Sequence, residues 1–236
     1  MNRLRSLLVF AALAVLAAVP AAAQRYAYGD NYENQFRFGI GTLEPRGDGR
    51  YWQDVESTFD GSAKDLRSGT LGVDYLHQVA PQLWVLVGGE FFSGDSDFAY
   101  RDYVDQSGRD IVHTTSLDTS TLNVGLQLDL APRRSPVVPY LGAGGSAIAY
   151  RLREHGDFVD FSGPNLHVFS DRFKDDGVGY GWFATAGLDI RLNRGFGIYA
   201  EGRWQRANVD LRGDFRGSGS LDLSSTAVKA GVSWRF

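Results

Sequence analysis

Residues 121–130 carry the cleanest alternation in the chain: Leu122, Val124, Leu126, Leu128 and Leu130 interleave with Thr121, Asn123, Gly125, Gln127 and Asp129. Side chains of an extended strand point alternately to opposite faces, so this run predicts a strand with one apolar and one polar face. The same period returns in residues 178–192, where Tyr180, Trp182, Ala184, Ala186, Leu188, Ile190 and Leu192 oppose Gly181, Thr185, Asp189 and Arg191. Residues 226–236 set Val228, Val232, Trp234 and Phe236 against Lys229, Ser233 and Arg235, and residues 196–206 set Ile198, Ala200 and Trp204 against Glu201, Arg203 and Gln205. Three earlier runs fit less cleanly: 35–43 (Phe36, Phe38, Ile40 against Arg37), 70–77 (Leu71, Val73, Tyr75 against Asp74) and 83–92 around Glu90. Residues 137–152 are glycine-rich and slip in phase, which predicts a bulge. Eight strands result.

The links between these runs alternate in length. Residues 78–82, 131–136 and 193–195 are short and of turn composition, whereas residues 44–69, 93–116, 153–177 and 210–222 are long and rich in Asp, Gly, Arg and Ser. A meander with turns at one rim and loops at the other produces this rhythm. Proline agrees: Pro45, Pro81, Pro132, Pro136 and Pro164 fall in links and Pro139 at a strand start, none in a strand middle.

The first 23 residues differ from everything after them. Arg3 and Arg5 precede an apolar run from Leu7 to Val19, and Ala21, Ala22 and Ala23 precede Gln24. That is the layout of a secretory signal peptide, with cleavage expected after Ala23. A retained anchor helix is the competing reading, but the apolar core is short for a span and ends in proline and small residues. Domain organisation is therefore 1–23 signal peptide and 24–236 a single β-barrel domain.

Removal of the signal takes away two arginines and leaves 22 basic against 28 acidic residues, a net charge of −6, which disfavours a nucleic-acid partner. The absence of cysteine excludes disulfides and thiolate metal sites.

Alternation alone does not say which face looks outward, and a soluble ligand-carrying barrel has the same period. Three features favour lipid on the apolar face. The interior of an eight-stranded barrel is only just wide enough for side chains, and here the apolar faces carry Tyr180, Trp182, Trp204, Trp234 and Phe236 while the others carry Gly125, Gly181, Gly187, Gly231 and Ser233. Aromatics concentrate at strand ends, as membrane girdles do: Phe36, Tyr75, Trp84, Tyr140, Phe196, Trp234 and Phe236 at the periplasmic rim, and Phe91, Tyr150, Tyr180, Trp182 and Trp204 at the other. Finally, the run Val-Lys-Ala-Gly-Val-Ser-Trp-Arg-Phe to Phe236 resembles the C-terminal signature of bacterial outer-membrane proteins, which in that group is read by the barrel-assembly machinery.

On these features the mature chain resembles the small eight-stranded bacterial outer-membrane β-barrels, the broad group of OmpA, OmpX, OmpW and opacity-type proteins. The resemblance implies an all-β fold, an eight-stranded antiparallel up-and-down transmembrane β-barrel with short periplasmic turns and long extracellular loops. It implies outer-membrane lipid and lipopolysaccharide as surroundings, the assembly machinery as a transient partner, and a monomer.

The inward face is expected to hold Arg37, Asp74, Glu90, Asp129, Asp189, Arg191, Glu201, Arg203, Lys229 and Arg235. Isolated charge in a narrow lumen is costly, so these should pair and plug the barrel, with Glu90, Glu201, Arg203 and Lys229 at the centre. Other chemistry is weakly signalled. Lipid A-modifying relatives use His and Ser close together on a strand; here His167, Ser170 and Asp171 fall in an expected loop. His77, His113 and His155 lack metal-ligand spacing. Asp95, Asp97 and Asp102 lack the glycine and terminal glutamate of a calcium loop. Gly142, Ala143, Gly144 and Gly145 lie in a strand with no helix following, unlike a nucleotide loop. No catalytic residue, cofactor or metal is assigned. Loop cations Arg101, Arg109, Arg153, Arg172, Lys174, Arg212 and Arg216 stand where anionic lipopolysaccharide lies.

Three functions follow in order: a non-enzymatic structural or surface-contact barrel acting through its loops; a porin-like passive pore or OmpW-like lateral path for small or apolar solutes; and, last, a lipid A-modifying hydrolase. The export reading has a direct check: mass spectrometry of the membrane-extracted protein should find Gln24 as the first residue, and a chain beginning at Met1 would contradict it.

Overall fold

The computed structural model describes residues 32–132, 135–160 and 167–236. The expected signal peptide and Pro164 lie outside them. Among the described residues nine strands form one antiparallel sheet: β1 (Asn34–Pro45), β2 (Ser68–Ala80), β3 (Leu83–Val104), β4 (Asp110–Asp129), β5 (Val137–Asp160), β6 (His167–Arg191), β7 (Phe196–Asp210), β8 (Ser220–Asp222) and β9 (Ser225–Arg235). Neighbours in sequence pair in order, and β9 pairs with both β7 and β1, so β1 to β7 and β9 close an eight-stranded ring. Closure leaves no unpaired edge in the membrane, where an unsatisfied backbone group is costly. Phe236 completes it: its N–H donates to the Asn34 carbonyl at 3.0 Å, and its carbonyl accepts from the Asn34 N–H at 3.2 Å.

A strand crosses a bilayer in about 9–11 residues. β1, β2, β7 and β9 hold 12, 13, 15 and 11 residues, close to that length. β3 to β6 hold 22, 20, 24 and 25 and continue well beyond it. Much of residues 93–116 and 153–177, expected as loops, is therefore strand. Serine, threonine, aspartate and arginine there obscured the pattern, because above the membrane the outward face of a strand meets water. His167, Ser170 and Asp171 accordingly lie on β6 rather than in a loop. The expected bulge in residues 137–152 is also absent: β5 keeps register with both neighbours, and the irregularities fall at Gln78/Ala80 and Ala99/Val104. The apparent phase slip came from Ile148, Tyr150 and Leu152, apolar residues on the inward face.

Those residues point inward because the extracellular mouth is filled by a helix. Helix α1 (Arg50–Thr58) lies in the first long link and buries Tyr51, Trp52 and Val55. They pack against Phe98, Leu117, Ile148, Tyr150, Leu152, Leu211, Phe215, Leu221 and Leu223. Gly47 turns the chain into the helix at φ +78, and a Cβ there would collide with Ala63. The Tyr51 hydroxyl donates to the buried Glu154 carboxylate, and Arg101 Nε donates to the carbonyls of Glu56 (3.2 Å) and Phe59 (2.8 Å), tying the end of the helix to β3. Sequence reading found no helix here, since nine residues give too few turns for a periodic signal.

His113 sits under this cap on the inward face of β4, its ring 4.4 Å from that of Phe59 and 5.2 Å from that of Phe158, with neither nitrogen hydrogen-bonded. Burial pushes its pKa from 6.5 down to about 4, against a smaller opposing pull from Asp97 and with a further lowering from His155. The unfolded chain then takes up the proton first, so the stability His113 contributes is complete above about pH 6.5 and is lost as pH falls towards 4. Glu154, raised by burial, acts in the opposite sense, losing its contribution as pH rises. Hydrogen exchange of the α1 amides, corrected for intrinsic rates, should lose protection between pH 7 and pH 5 in the wild type and lose less in His113→Phe. Equal losses in the two proteins would contradict this account.

Candidate functional site

Ten charged residues were assigned to the lumen from their phase. The structure buries Arg37, Asp74, Glu90, Asp129, Asp189, Glu201, Arg203, Lys229 and Arg235 inside the barrel, and leaves Arg191 half-buried in the same phase at the end of β6. Arg203 is the centre. Its guanidinium lies 2.9 Å from Glu201, 3.2 Å from Asp74 and 3.4 Å from Glu90, and 5.3 Å from the Phe183 ring centroid. Lys229 Nζ donates to Glu90 at 2.7 Å and stands 3.6 Å from Glu201. Two cations thus share three carboxylates drawn from β2, β3 and β7.

The ladder explains why these side chains meet. Glu201 on β7 stands directly opposite Lys229 on β9. Asp74 stands opposite Arg37 and also opposite Gly88, Glu90 opposite Gly72, Lys229 opposite Gly41, and Glu201 opposite Gly187. Asp74, Glu90, Lys229 and Glu201 therefore each have a glycine beside them on an adjacent strand, while Arg203 stands between Thr185 and Ala227. A Cβ at Gly88 would overlap the Asp74 carboxylate, so the glycine is needed for the charge to fit.

Towards the periplasmic rim a second group gathers around Asp189. Arg235 Nη2 lies 2.5 Å from it, Gln35 Nε2 donates at 2.7 Å and Arg37 Nη2 is 3.6 Å away. Arg37 also donates to Gln127 at 2.8 Å and covers the Tyr140 ring at 4.2 Å. Trp84 Nε1 and Gln127 Nε2 donate to Asp129 at 3.0 and 2.9 Å.

Trp84 and Tyr140 correct the expected girdle. Both are interior, 2% and 1% exposed, and so is Tyr150. Trp84 shares its parity with Glu90 on β3, so they must face the same way, and Tyr140 donates to Glu201 at 3.1 Å. Phe183, Tyr199, Gln35 and Gln127 are lumen residues that sequence reading missed; parity with Asp189, Glu201, Arg37 and Asp129 was the signal that could have found them. The lumen is thus filled by large aromatics as well as small residues.

The remaining girdle positions lie outside. Tyr75, Phe36, Phe236, Trp234 and Phe196 make a chain of ring contacts with successive centroids 5.2, 5.6, 5.0 and 6.5 Å apart, spanning β2, β1, β9 and β7. Tyr75 is on the outward phase but covered, its hydroxyl donating to Asn34 at 2.7 Å. Tyr180, Trp182 and Trp204 stand exposed at the opposite rim.

Among the described residues the other candidates from the sequence do not converge. His167 and Ser170 are three residues apart on β6 and so face opposite sides, and Ser170 donates to the Gly156 carbonyl at 3.2 Å. Among the described residues no group of three or more His, Asp or Glu could hold a metal ion. Asp97 accepts from Thr114 at 2.6 Å along the β3–β4 ladder.

Removing one member of the central group should be more harmful than removing a pair. Lys229→Met leaves Glu90 without its 2.7 Å partner and should cost about 3–5 kcal/mol in a reversible urea unfolding measurement. Glu90→Gln combined with Lys229→Met should recover a large part of that loss. A double variant no more stable than Lys229→Met would show that the two groups act independently.

Comparison with known proteins agrees with this architecture. Residues 9–236 match the family model described as outer membrane protein beta-barrel domain. Among solved structures, Neisserial surface protein A is 13% identical, with 86% of this chain and 97% of that one covered and a TM-score of 0.50. The outer membrane protein OprG from Pseudomonas aeruginosa is 14% identical, covering 86% and 95%, with a TM-score of 0.53. The outer membrane protease OmpT from Escherichia coli is 12% identical over 90% and 99% of the chains, and its TM-score of 0.43 carries no argument about activity. No curated protein matches in sequence.

Proposed function

The chain belongs to the outer membrane protein beta-barrel domain family and resides in the bacterial outer membrane, and from that premise we propose that it is a non-enzymatic structural and surface-contact protein with a closed lumen. One observation carries the reading: among the described residues, paired charges and a helix cap occupy the interior at two successive levels. Salt-bridged carboxylates and cations fill the membrane-embedded part, and the α1 cap fills the extracellular mouth. A cavity between them, lined by Leu43, Phe92, Leu117, Ile148, Gln205 and Leu223, measures about 10 Å³, room for roughly one water. Paired charges contacting at 2.5–3.4 Å leave no width for a hydrated solute.

With the lumen closed, contact with the surroundings falls to what β3 to β6 and their links hold above the membrane. Lipopolysaccharide is the first molecule they meet there. Residues 1–23 serve in this reading as the export signal, and the aromatic strand ending at Phe236 as the segment offered to the barrel-assembly machinery. A hydrolase is disfavoured because a nucleophile needs a base within hydrogen-bond reach, and His167 and Ser170 face opposite sides of β6.

Planar-bilayer recording with the refolded protein should show no stable unitary openings. Reproducible single-channel steps would overturn the closed-lumen reading in favour of passive transport, and lipid A shortened by an acyl chain in expressing cells would overturn the non-enzymatic one.

A further inference from the structure

The strand registers set the height of each outward residue relative to the membrane. From Ile40 the ladder runs through Leu71, Phe91, Ser120 and Ala149 to Val178 on β6. Taken the other way round the ring it runs through Ala230 and Ala200 to Leu188 on the same strand, ten residues from Val178. Each step from strand to strand therefore climbs by about one and a quarter residues, the stagger that a closed ring of tilted strands carries.

Corrected for that climb, the outward apolar run ends at nearly one level on six strands. Ile40, Leu71, Phe91, Leu122, Trp204 and Val228 lie within about three residues of one another in height, and the outward positions above them are polar or glycine, as at Thr42, Ser120 and Arg206. β5 and β6 do not stop there. Their outward faces stay apolar through Ala147 and Ala149 and through Tyr180 and Val178, and turn polar only at Arg151 and Asp176. The excess is about four residues, or about 10 Å in height for strands so tilted. From Val137 to Ala149 the apolar wall stands about 30 Å tall, against about 25 Å for an outer-membrane band. The periplasmic ends show no matching offset, since Leu83, Leu130, Val137 and Phe196 lie within about two residues of one level. Tilting the barrel to bury the excess would thus pull that side's lower rim out of the band.

Tyr180 projects from the raised face, 75% exposed. An apolar surface at that height is covered by a partner whose own apolar wall rises as far, and a second copy of the chain has one. Two copies related by an axis along the membrane normal meet at equal heights, with the same patch on both sides. At the height of Tyr180 the face offers only Ala147, Ala149 and Val178 beside it. Each projecting ring then lies over the small side chains of the other copy. Gly145, one rung below Ala147, deepens the hollow. A Cβ there would meet nothing nearer than 3.9 Å, so no side chain of its own barrel requires this glycine.

We propose that the protein forms a two-fold dimer in the plane of the outer membrane, in place of the monomer that the resemblance implies. The raised apolar face of β5 and β6 is the contact, with Tyr180 of each copy seated on Ala147, Ala149 and Val178 of the other. This contact lies on the outer wall and does not depend on whether the lumen conducts.

The chain has no cysteine, so one introduced thiol reports one position. Val178→Cys, beside the expected axis, and Ile40→Cys, outward on the far wall, are each expressed as the full chain and oxidised in isolated outer membranes, with folding checked by heat-modifiable gel mobility. Val178→Cys should give a disulfide-linked species of twice the monomer mass, and Ile40→Cys should stay monomeric. Ala149→Trp fills the hollow under Tyr180 from the outside of the barrel. Added to Val178→Cys in liposomes of the purified protein, it should lower about tenfold the lipid-to-protein ratio at which cross-linking falls by half. Equal cross-linking of the two cysteine variants, or no effect of Ala149→Trp, would overturn the proposal. Cross-linking that occurs in outer membranes and vanishes in liposomes would mean that another component holds the copies together, and would overturn direct contact between them.

Discussion

Arg203 lies within 3.4 Å of carboxylates on three strands, and much of the membrane-embedded structure follows from the need to keep such a charge paired. An isolated ion in a narrow, poorly hydrated lumen loses most of its solvation, so its partners must be supplied by the fold in one fixed arrangement. Glu201 and Lys229 are placed by being opposite each other in the ladder. Asp74 and Glu90 reach Arg203 across the barrel, from strands that do not neighbour β7. A slip of one residue in any strand would turn its charges to the lipid and its aliphatics to the lumen. The charge cluster therefore sets the register of the ring as firmly as the aliphatic band does.

Space is the second consequence. An eight-stranded ring has little interior, and this one admits Tyr140, Phe183 and Tyr199 beside the charges because glycines stand next to them. A Cβ on Gly39 would meet the Tyr199 hydroxyl and one on Gly187 the Tyr140 hydroxyl. The glycine content of the chain is thus tied to large side chains on neighbouring strands, more than to turns. Above the membrane the solution changes. There β3 to β6 continue without the other four full-length strands, and apolar packing of α1 against the inward faces takes the place of ion pairs.

The band of outward Leu, Val and Ile, the alternation of link lengths, the number of strands that close the ring and the inward phase of the ten charged residues were all legible along the chain, because each depends only on side-chain parity. Parity also held the error: Trp84 and Glu90 could not lie on opposite faces of β3. The upper halves of β3 to β6 were illegible, since a strand whose outer face meets water and whose inner face meets a helix has no fixed apolar phase to read. The same lack of phase makes His167 and Ser170 read as loop although they lie on β6.

The sequence by itself determined that this is an outer-membrane barrel and the phase of the aliphatic band along its crossing strands, though not the side of Trp84, Tyr140 and Tyr150, for a bilayer imposes period two on every strand that crosses it. Only the tertiary structure decided which charges touch, what closes the mouth and how high the apolar band reaches on each side of the ring. Those depend on the stagger between strands distant in sequence, and a linear pattern carries the phase of each strand without the offset between them. Phe236 shows both halves: its parity fixed it on the lipid side, and its pairing with Asn34 showed how the ring is closed.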